Sequence, residues 1–286
     1  MRIAFVTQAD LPNLADDDRL LIEPLASLGV DAVPAVWSDA AVDWTAFDAL
    51  MIRSCWDYHL QPERFFAWVA RVEALGVPIW NPAAILRWNS DKGYLRDLAA
   101  RGATVIPTLW IGPGDVPPLR DVLDDAGWDE VVIKPAISAA AHDTWRISRA
   151  DADANDARFQ AAARDRQLLV QPYVPEIVAA GEWSLLFAAD RFSHAVLKRP
   201  RTGDFRVQEH LGGTSVRGDP PEFVIAEAAR IVQSVGTPLL YARVDGCVRN
   251  GAFHLMEFEA LEPSLFLVAD PEAPKRFAEA IATKLR

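Results

Sequence analysis

The sequence predicts an α/β layer at the N-terminus followed by an α+β remainder, and three observations carry that reading. Over the first eighty residues short apolar runs alternate with amphipathic stretches, the pattern of an open parallel sheet. Beyond Asn81-Pro82 the chain turns strand-rich with one or two helices, which marks a separate lobe. The final third holds two long strand runs and then a hairpin around Asn250-Gly251.

Arg2 to Thr7 reads as a buried strand, Asp16 to Leu28 as one helix stopped by Gly29, and Asp31 to Trp37 as a second strand. Ala46 to Arg53 repeats the strand, Pro62 to Leu75 the helix, and Val77 to Trp80 closes the unit. Ser90 is placed to cap a helix reaching about Ala100, ended by Arg101-Gly102. Thr104 to Ile111, Val131 to Lys134, Thr144 to Ser148 and Leu168 to Val174 read as strands. Gly112 to Gly114 and Pro117-Pro118 mark loops, and Asp151 to Arg164 is a helix. Glu182 to Phe187 and Phe192 to Arg199 are strands split by Asp190-Arg191; a loop with Gly212-Gly213, a helix from Pro221 to Val235, the hairpin and a terminal helix from Pro271 complete the chain.

At 286 residues the chain is roughly twice the usual ~150-residue domain, so two or three lobes are expected. Hydrophobic residues make up 51%, enough for real cores and too many for a disordered chain. Lysine and arginine number 29 against 40 acids, a formal net charge of −11, which excludes a general basic footprint for nucleic acid or anionic membrane. A small molecule is the expected partner, and a homodimer is compatible with the sequence. Cys55 and Cys247 are far apart and form no CxxC, so neither a disulfide framework nor a zinc cage is expected. The start is unlike a secretory signal and no apolar run approaches ~18 residues, so the expected location is the cytoplasm. The first turn carries neither a dinucleotide fingerprint nor GxxxxGK[ST].

The best chemical cluster is Asp245 on one strand and Glu257 and Glu259 on the next. Residues two apart project from one face, and three converging carboxylates repel unless a cation sits among them; oxygen-only ligands suit Mg²⁺. A solvated acidic strand face is the competing reading, although the flanking Leu255, Met256, Phe258 and Leu261 are apolar. Register supplies a condition. A strict two-residue turn at Asn250-Gly251 pairs Val248 with Phe253 and leaves Asp245 opposite Met256, so a metal site requires a bulge or a three-residue loop. Lys134 ends an apolar strand and needs an anion there. Ser138 to Ala141 is a run of small residues that either lets backbone N–H groups approach a phosphate or forms a helix. Lys92 lies in the expected first turn of a helix, and Lys198, Arg199, Arg201 and Arg206 make a basic cluster in an acidic chain.

The ordered set Asn89-Ser90-Asp91-Lys92, Val132-Ile133-Lys134-Pro135, Leu169 to Val174, Gly203-Asp204-Phe205-Arg206, Gly212-Gly213, Val244-Asp245 and Met256 to Glu259 resembles the ATP-grasp superfamily over about residues 85–268. Over nearly the whole chain it is similar to the D-cycloserine synthetase branch, through Arg53-Ser54-Cys55-Trp56, Arg87-Trp88, Gln171 to Val174, Ser193-His194-Ala195, Arg243-Val244-Asp245 and Glu262 to Leu265. The resemblance implies an N-terminal open α/β substrate-side domain at 1–84. A linker helix with a small mobile lid lobe then covers 85–172, and a C-terminal antiparallel-sheet lobe with the metal site covers 173–286. It implies ATP and Mg²⁺ as cofactors. Lys92 and Lys134 would hold the nucleotide's phosphates, the loop at Ser138 to Ala141 would cover them, and Lys198 would join the cofactor-binding set. Gln171 with the backbone of Tyr173 and Val174 would hold adenine, and Glu182, or its neighbour Glu176, the ribose. Arg206 and Arg243 would serve the phosphoryl transfer, and Asp245, Glu257 and Glu259 would bind the metal. Two departures stand out: Glu259 replaces the usual Asn, and the small-residue loop lacks glycine, so it is expected to work without positive φ.

Ligands of an open α/β layer gather beyond the carboxyl ends of its strands, where Thr7, Arg53 and Trp56 are expected. Arg53 there either grips a substrate carboxylate or pairs with Asp57 or another acid, and Trp56 either walls off water or packs between lobes. The implied activity is an ADP-forming carboxylate–amine ligase working through an acyl phosphate on a small amino-acid-like substrate. Ring closure within one molecule, ligation between two, and a nucleotide-binding protein without turnover are its variants.

Overall fold

A computed structural model describes residues 1–114 and 116–285; Asp115, in the Gly112 to Pro118 loop, and Arg286 lie outside the described residues. The first sheet is parallel, in the order β2-β1-β3-β4: β1 (Arg2–Thr7), β2 (Asp31–Val36), β3 (Ala49–Ser54) and β4 (Ile79–Trp80). Helices α1 (Asp16–Arg19), α2 (Ile22–Ser27) and α3 (Pro62–Ala74) connect and cover it. The single helix expected from Asp16 to Leu28 is broken, because Pro24 lacks an N–H and its ring would clash with the carbonyl of Leu20.

Helices α4 (Ala83–Asn89) and α5 (Tyr94–Ala100) follow. Ser90 caps the end of α4 rather than the start of the next helix: its hydroxyl donates to Arg87 O at 2.8 Å. The Asp91 carboxylate accepts the Gly93 N–H in the turn between them. The second sheet is antiparallel, in the order β5-β8-β6-β7, with β5 (Leu109–Ile111), β6 (Glu130–Pro135), β7 (Trp145–Ser148) and β8 (Leu168–Pro172). Helices α6 (Leu119–Ala126) and α7 (Ala152–Ala163) pack beside it around Phe159, Leu123 and Val131. The continuous strand expected from Thr104 to Ile111 is divided at Pro107, which has no ladder donor. On one side Thr104 and Ile106 exchange backbone bonds with Leu255; on the other β5 joins the second sheet.

After α8 (Pro175–Ala180) comes the third sheet, antiparallel in the order β11-β10-β9-β12-β13. Its strands are β9 (Glu182–Ala188), β10 (Arg191–Arg199), β11 (Thr214–Arg217), β12 (Tyr241–Arg249) and β13 (Ala252–Glu259). Helix α9 (Glu222–Ser234) buries Val224, Ala228, Ile231 and Val232 in the core of this sheet. Helix α10 (Ala273–Lys284) buries Phe277, Ala278 and Ile281 in a core shared with Ile3 and Phe5 of the first sheet. The first and third sheets are thus joined by a common apolar core.

Two asparagines clamp the end of β13. Asn89 donates to Phe258 O at 2.7 Å and accepts the N–H groups of Ala260 and Leu261; Asn81 donates to Tyr241 O and Ala260 O and accepts from Leu240. Both are buried, so each amide satisfies backbone groups that burial would otherwise leave unpaired.

Candidate active site

The β12–β13 hairpin keeps the two-residue turn at Asn250-Gly251, with Val248 opposite Phe253, and meets the metal-site condition with a bulge. Gly246 pairs with Leu255 and Asp245 with Glu257, so Met256 is the extra residue. Gly246 allows this, since a Cβ there would stand 2.4 Å from His254 O and 2.5 Å from the Phe253 ring. Carboxylate oxygens of Asp245, Glu257 and Glu259 consequently lie within 4.8 Å of one another.

Cations are built around these acids. Arg243, two residues before Asp245 on the same strand face, holds its carboxylate at 2.9 to 3.1 Å and also bonds Glu259. Lys198 on β10 reaches Glu182 at 2.5 Å and Asp245 at 3.4 Å, and Ser184 donates to Asp245 at 2.5 Å. Lys92 lies 3.3 Å from Glu257 and donates to the Ser138 carbonyl at 2.6 Å. Burial pushes the Asp245 carboxyl up, but Arg243 and Lys198 outweigh it and hold it down at about 2. Burial likewise opposes the charge on Glu257, and Lys92 and Lys134 keep its carboxyl below the usual range. Glu259 is pushed well up by burial, against Arg243, with Glu257 and Asp245 adding to the rise. Burial lowers Lys134, with Glu257 opposing. The site is therefore dense in carboxylates even with its cations in place. Hard oxygen donors at this spacing fit a divalent ion such as Mg²⁺, and Glu259, where an Asn was expected, has its extra charge met by Arg243.

These groups open on a cavity of about 500 Å³ between the second and third sheets and the edge of the first. Lys92, Lys134, Ser138, Gln171, Tyr173, Val174, Glu182, Lys198, Arg206, Arg243, Glu257, Glu259 and Trp56 all contribute to its walls. Glu176, the competitor of Glu182, does not; it pairs with Arg249 at 3.3 Å. The Gln171 amide donates to Thr108 at 2.9 Å, and the Tyr173 N–H is spent on Glu130 O, so of Tyr173's backbone only the carbonyl is left to a ligand. Arg206 is paired with Asp204 at 3.0 Å, whereas Arg199 and Arg201 are exposed and do not line the cavity, Arg201 lying 4.0 Å from the same Asp204. Of the two readings of the loop over Lys92, a turn is found and not a helix. It departs from expectation in its backbone, since Ala140 and Ala141 adopt φ of 53° and 57° without being glycine. Each such residue costs on the order of 1 kcal/mol, which the Lys92 to Ser138 bonds help to offset.

Two expected substrate residues lie elsewhere. Arg53 is 1% exposed and does not line the cavity; it is clamped by Asp18 at 2.9 and 3.0 Å and Pro263 O at 2.7 Å, and lies over the Tyr241 ring. Of the two alternative pairings for it, with Asp57 or with another acid, the second is found in Asp18, while Asp57 accepts from Trp37. Thr7 is fully buried and donates to Leu11 O. Both are corrected to structural roles, because burial in a saturated network leaves no donor for a ligand. Trp56 does reach the cavity, with its indole N–H on Glu262 O at 3.1 Å. The wall also contains residues to which the sequence attached no role: Tyr58, Tyr94, Glu262 and Phe266. An acid in the apolar stretch Ala260-Leu261-Glu262-Pro263 was the one local signal for Glu262.

No helix among the described residues is long and apolar enough to cross a membrane. The family described as D-cycloserine synthetase DcsG, N-terminal domain, matches residues 3–81. The chain is 32% identical over 302 residues to the cycloserine biosynthesis protein DcsG of Streptomyces lavendulae, covering 99% of each. It superposes on the crystal structure of D-cycloserine synthetase DcsG with a TM-score of 0.89 at 32% identity, over 100% of both chains. The ATP-grasp ligase PsnB, in a structure complexed with a precursor variant, Mg and ADP, matches at 16% identity and a TM-score of 0.67, over 99% of this chain and 98% of that one. The full-length likeness in sequence and fold, together with a cavity that gathers lysines and carboxylates from the second and third sheets and from the turn between α4 and α5, leads to one assignment: the chain belongs to the D-cycloserine synthetase family of ATP-grasp ligases.

Proposed function

We propose that this ATP-dependent carboxylate–amine ligase closes a ring within one small amino-acid-like substrate, releasing ADP and phosphate, and that Mg²⁺ is its metal. The observation that carries the reading is a single cavity lined both by the charged set of Lys92, Lys134, Arg243, Glu257 and Glu259, with Asp245 beside the two glutamates, and by the aromatic rings of Trp56, Tyr58 and Phe266. When bound, the magnesium nucleotide supplies the phosphoryl group that converts the substrate carboxylate into an acyl phosphate, a far better leaving group. A nitrogen of the same substrate then attacks the acyl carbon, phosphate leaves, and the nitrogen's proton passes to a base.

This chain's part is positioning and electrostatics. Lys92 and Lys134 hold phosphate oxygens, and Arg206 and Arg243 offset charge on the group being transferred. Asp245, Glu257 and Glu259 hold the metal. Gln171, the Tyr173 carbonyl and the Val174 backbone receive adenine, and Glu182 the ribose. The loop at Ser138 to Ala141, tied to Lys92, keeps water from the acyl phosphate. The lobes of this machinery are 1–84, 85–172 and 173–286. ADP release in Mg²⁺ across a panel of amino-acid carboxylates, with mass spectrometry of the products, tests the reading. A product lighter than its substrate by one water is the expected result; a product joining two molecules would make the enzyme an intermolecular ligase, and no ADP with any carboxylate would sink the proposal.

A further inference from the structure

Glu262 is the buried acid of the cavity wall without a cation partner among the described residues. It is 7% exposed, and its backbone carbonyl is taken by Trp56, but its carboxylate has no hydrogen bond from another residue and no cation within 4 Å among the described residues. The nearest candidate cation is spent: Arg243 bonds Asp245, Glu259 and the Ser264 carbonyl. Burial pushes the Glu262 carboxyl up to about 7, against the more distant pull of Arg243 and a bond from its own backbone N–H. Around it the same wall presents Trp56, Tyr58 and Phe266, and the Tyr58 hydroxyl likewise has no partner among the described residues. A lone carboxylate in an aromatic setting is chemistry for an organic cation: it neutralises the charge, and ring faces stabilise what remains of it.

We propose that Glu262 is a specificity residue of the acceptor end, receiving the ammonium group of an amino-acid-like substrate between the rings of Trp56 and Phe266. This rests on the ligase reading for the identity of the substrate, and on the cavity alone for the cation preference. Holding the ammonium at Glu262 would leave the carboxylate of the same molecule free to turn toward the phosphate-binding lysines.

The test uses the full chain and two readouts. In binding, D-cycloserine and isoxazolidin-3-one, which has the same ring without the amine, are titrated by NMR against the protein with ADP and Mg²⁺. The wild-type protein is expected to prefer the amine at least tenfold, and Glu262→Gln to bring the two within threefold while ADP affinity stays unchanged. In turnover, α-amino acids are compared with their α-hydroxy counterparts; Glu262→Gln should erase the preference through KM with kcat largely kept, and Glu262→Asp should restore part of it. An undiminished amine preference in a Glu262→Gln protein that still binds ADP overturns the proposal, as does a wild-type protein with no preference. Absence of ADP release from every carboxylate would sink the ligase reading, and the binding comparison would still decide the role of Glu262.

Discussion

Two buried arginines hold two buried aspartates, and they end up in opposite roles. Arg53 and Asp18 lie at the edge of the first sheet; Arg243 and Asp245 lie on β12 of the third. Exposures are alike, 1% and 2% in the first pair, 8% and 1% in the second. They are also neighbours, since Tyr241, under the Arg53 guanidinium, shares a strand face with Arg243 and Asp245. The difference lies in what surrounds each aspartate. Asp18 is bonded by Arg53 and by the Ser54 hydroxyl, a closed set that does not line the cavity. Asp245 stands among Glu257, Glu259 and Glu182, acids that share Arg243, Lys198 and Lys92 between them, beside a cavity. An ion pair whose partners are saturated holds the lobes together, and one embedded in a charge network that opens on a cavity is ready for a ligand.

The largest expected effect tests the closed pair. Arg53→Ala strands Asp18 without a counter-charge and should cost about 3–5 kcal/mol of stability in denaturant unfolding. The folded fraction should keep its KM for both ATP and the carboxylate; a raised carboxylate KM alone would return Arg53 to the site.

The open region should respond to pH with the opposite sign from an ordinary salt-bridged acid. The Glu262 carboxyl is raised from 4.5 to about 7 in the folded protein, so its contribution is fully present below the unfolded value and is lost as pH rises from about 4.5 to 7. That loss is on the order of 3 kcal/mol, and Glu262→Gln should flatten the stability profile of the ligand-free protein over this window. Asp245, held down at about 2 from 3.8, contributes stability above about pH 4 that disappears as pH falls toward 2. A profile identical in Glu262→Gln would mean that the acid already has a partner in solution.

Next in size, Glu257→Gln should lower ADP formation by ~100-fold or more with the melting temperature preserved, since it removes a hard anionic ligand and keeps the shape. Full turnover in the folded variant would end the metal assignment. The smallest effect is Ala140→Gly, which relieves a left-handed alanine and should stabilise by up to about 1 kcal/mol. If ADP release slows in that variant, the strained turn is serving closure over the phosphates rather than merely being tolerated.

Local pattern made much of this legible. Alternating apolar runs foretold the parallel sheet, and Asn250-Gly251 foretold the hairpin. Counting register from that turn even required the bulge that brings Asp245 opposite Glu257. Lys134 at the end of an apolar strand and the Asp245, Glu257 and Glu259 spacing were readable because strand periodicity is a property of neighbouring residues. Pro24 and Pro107 were visible too, but their effect depended on where the surrounding segments needed to go.

What the amino-acid order determined by itself was the set of elements, the face each residue takes and the condition on register, since these follow from steric and turn chemistry within a few residues. Only the tertiary structure decided which charges are satisfied. Arg53 meets Asp18 across 35 residues and Pro263 across 210, Asn89 clamps β13 across about 170, and nothing local tells that Glu262 is left alone. Partnership of buried polar groups is settled by which segments the folded core brings within hydrogen-bond reach, and that distance is a property of the packed sheets, not of the spacing along the chain.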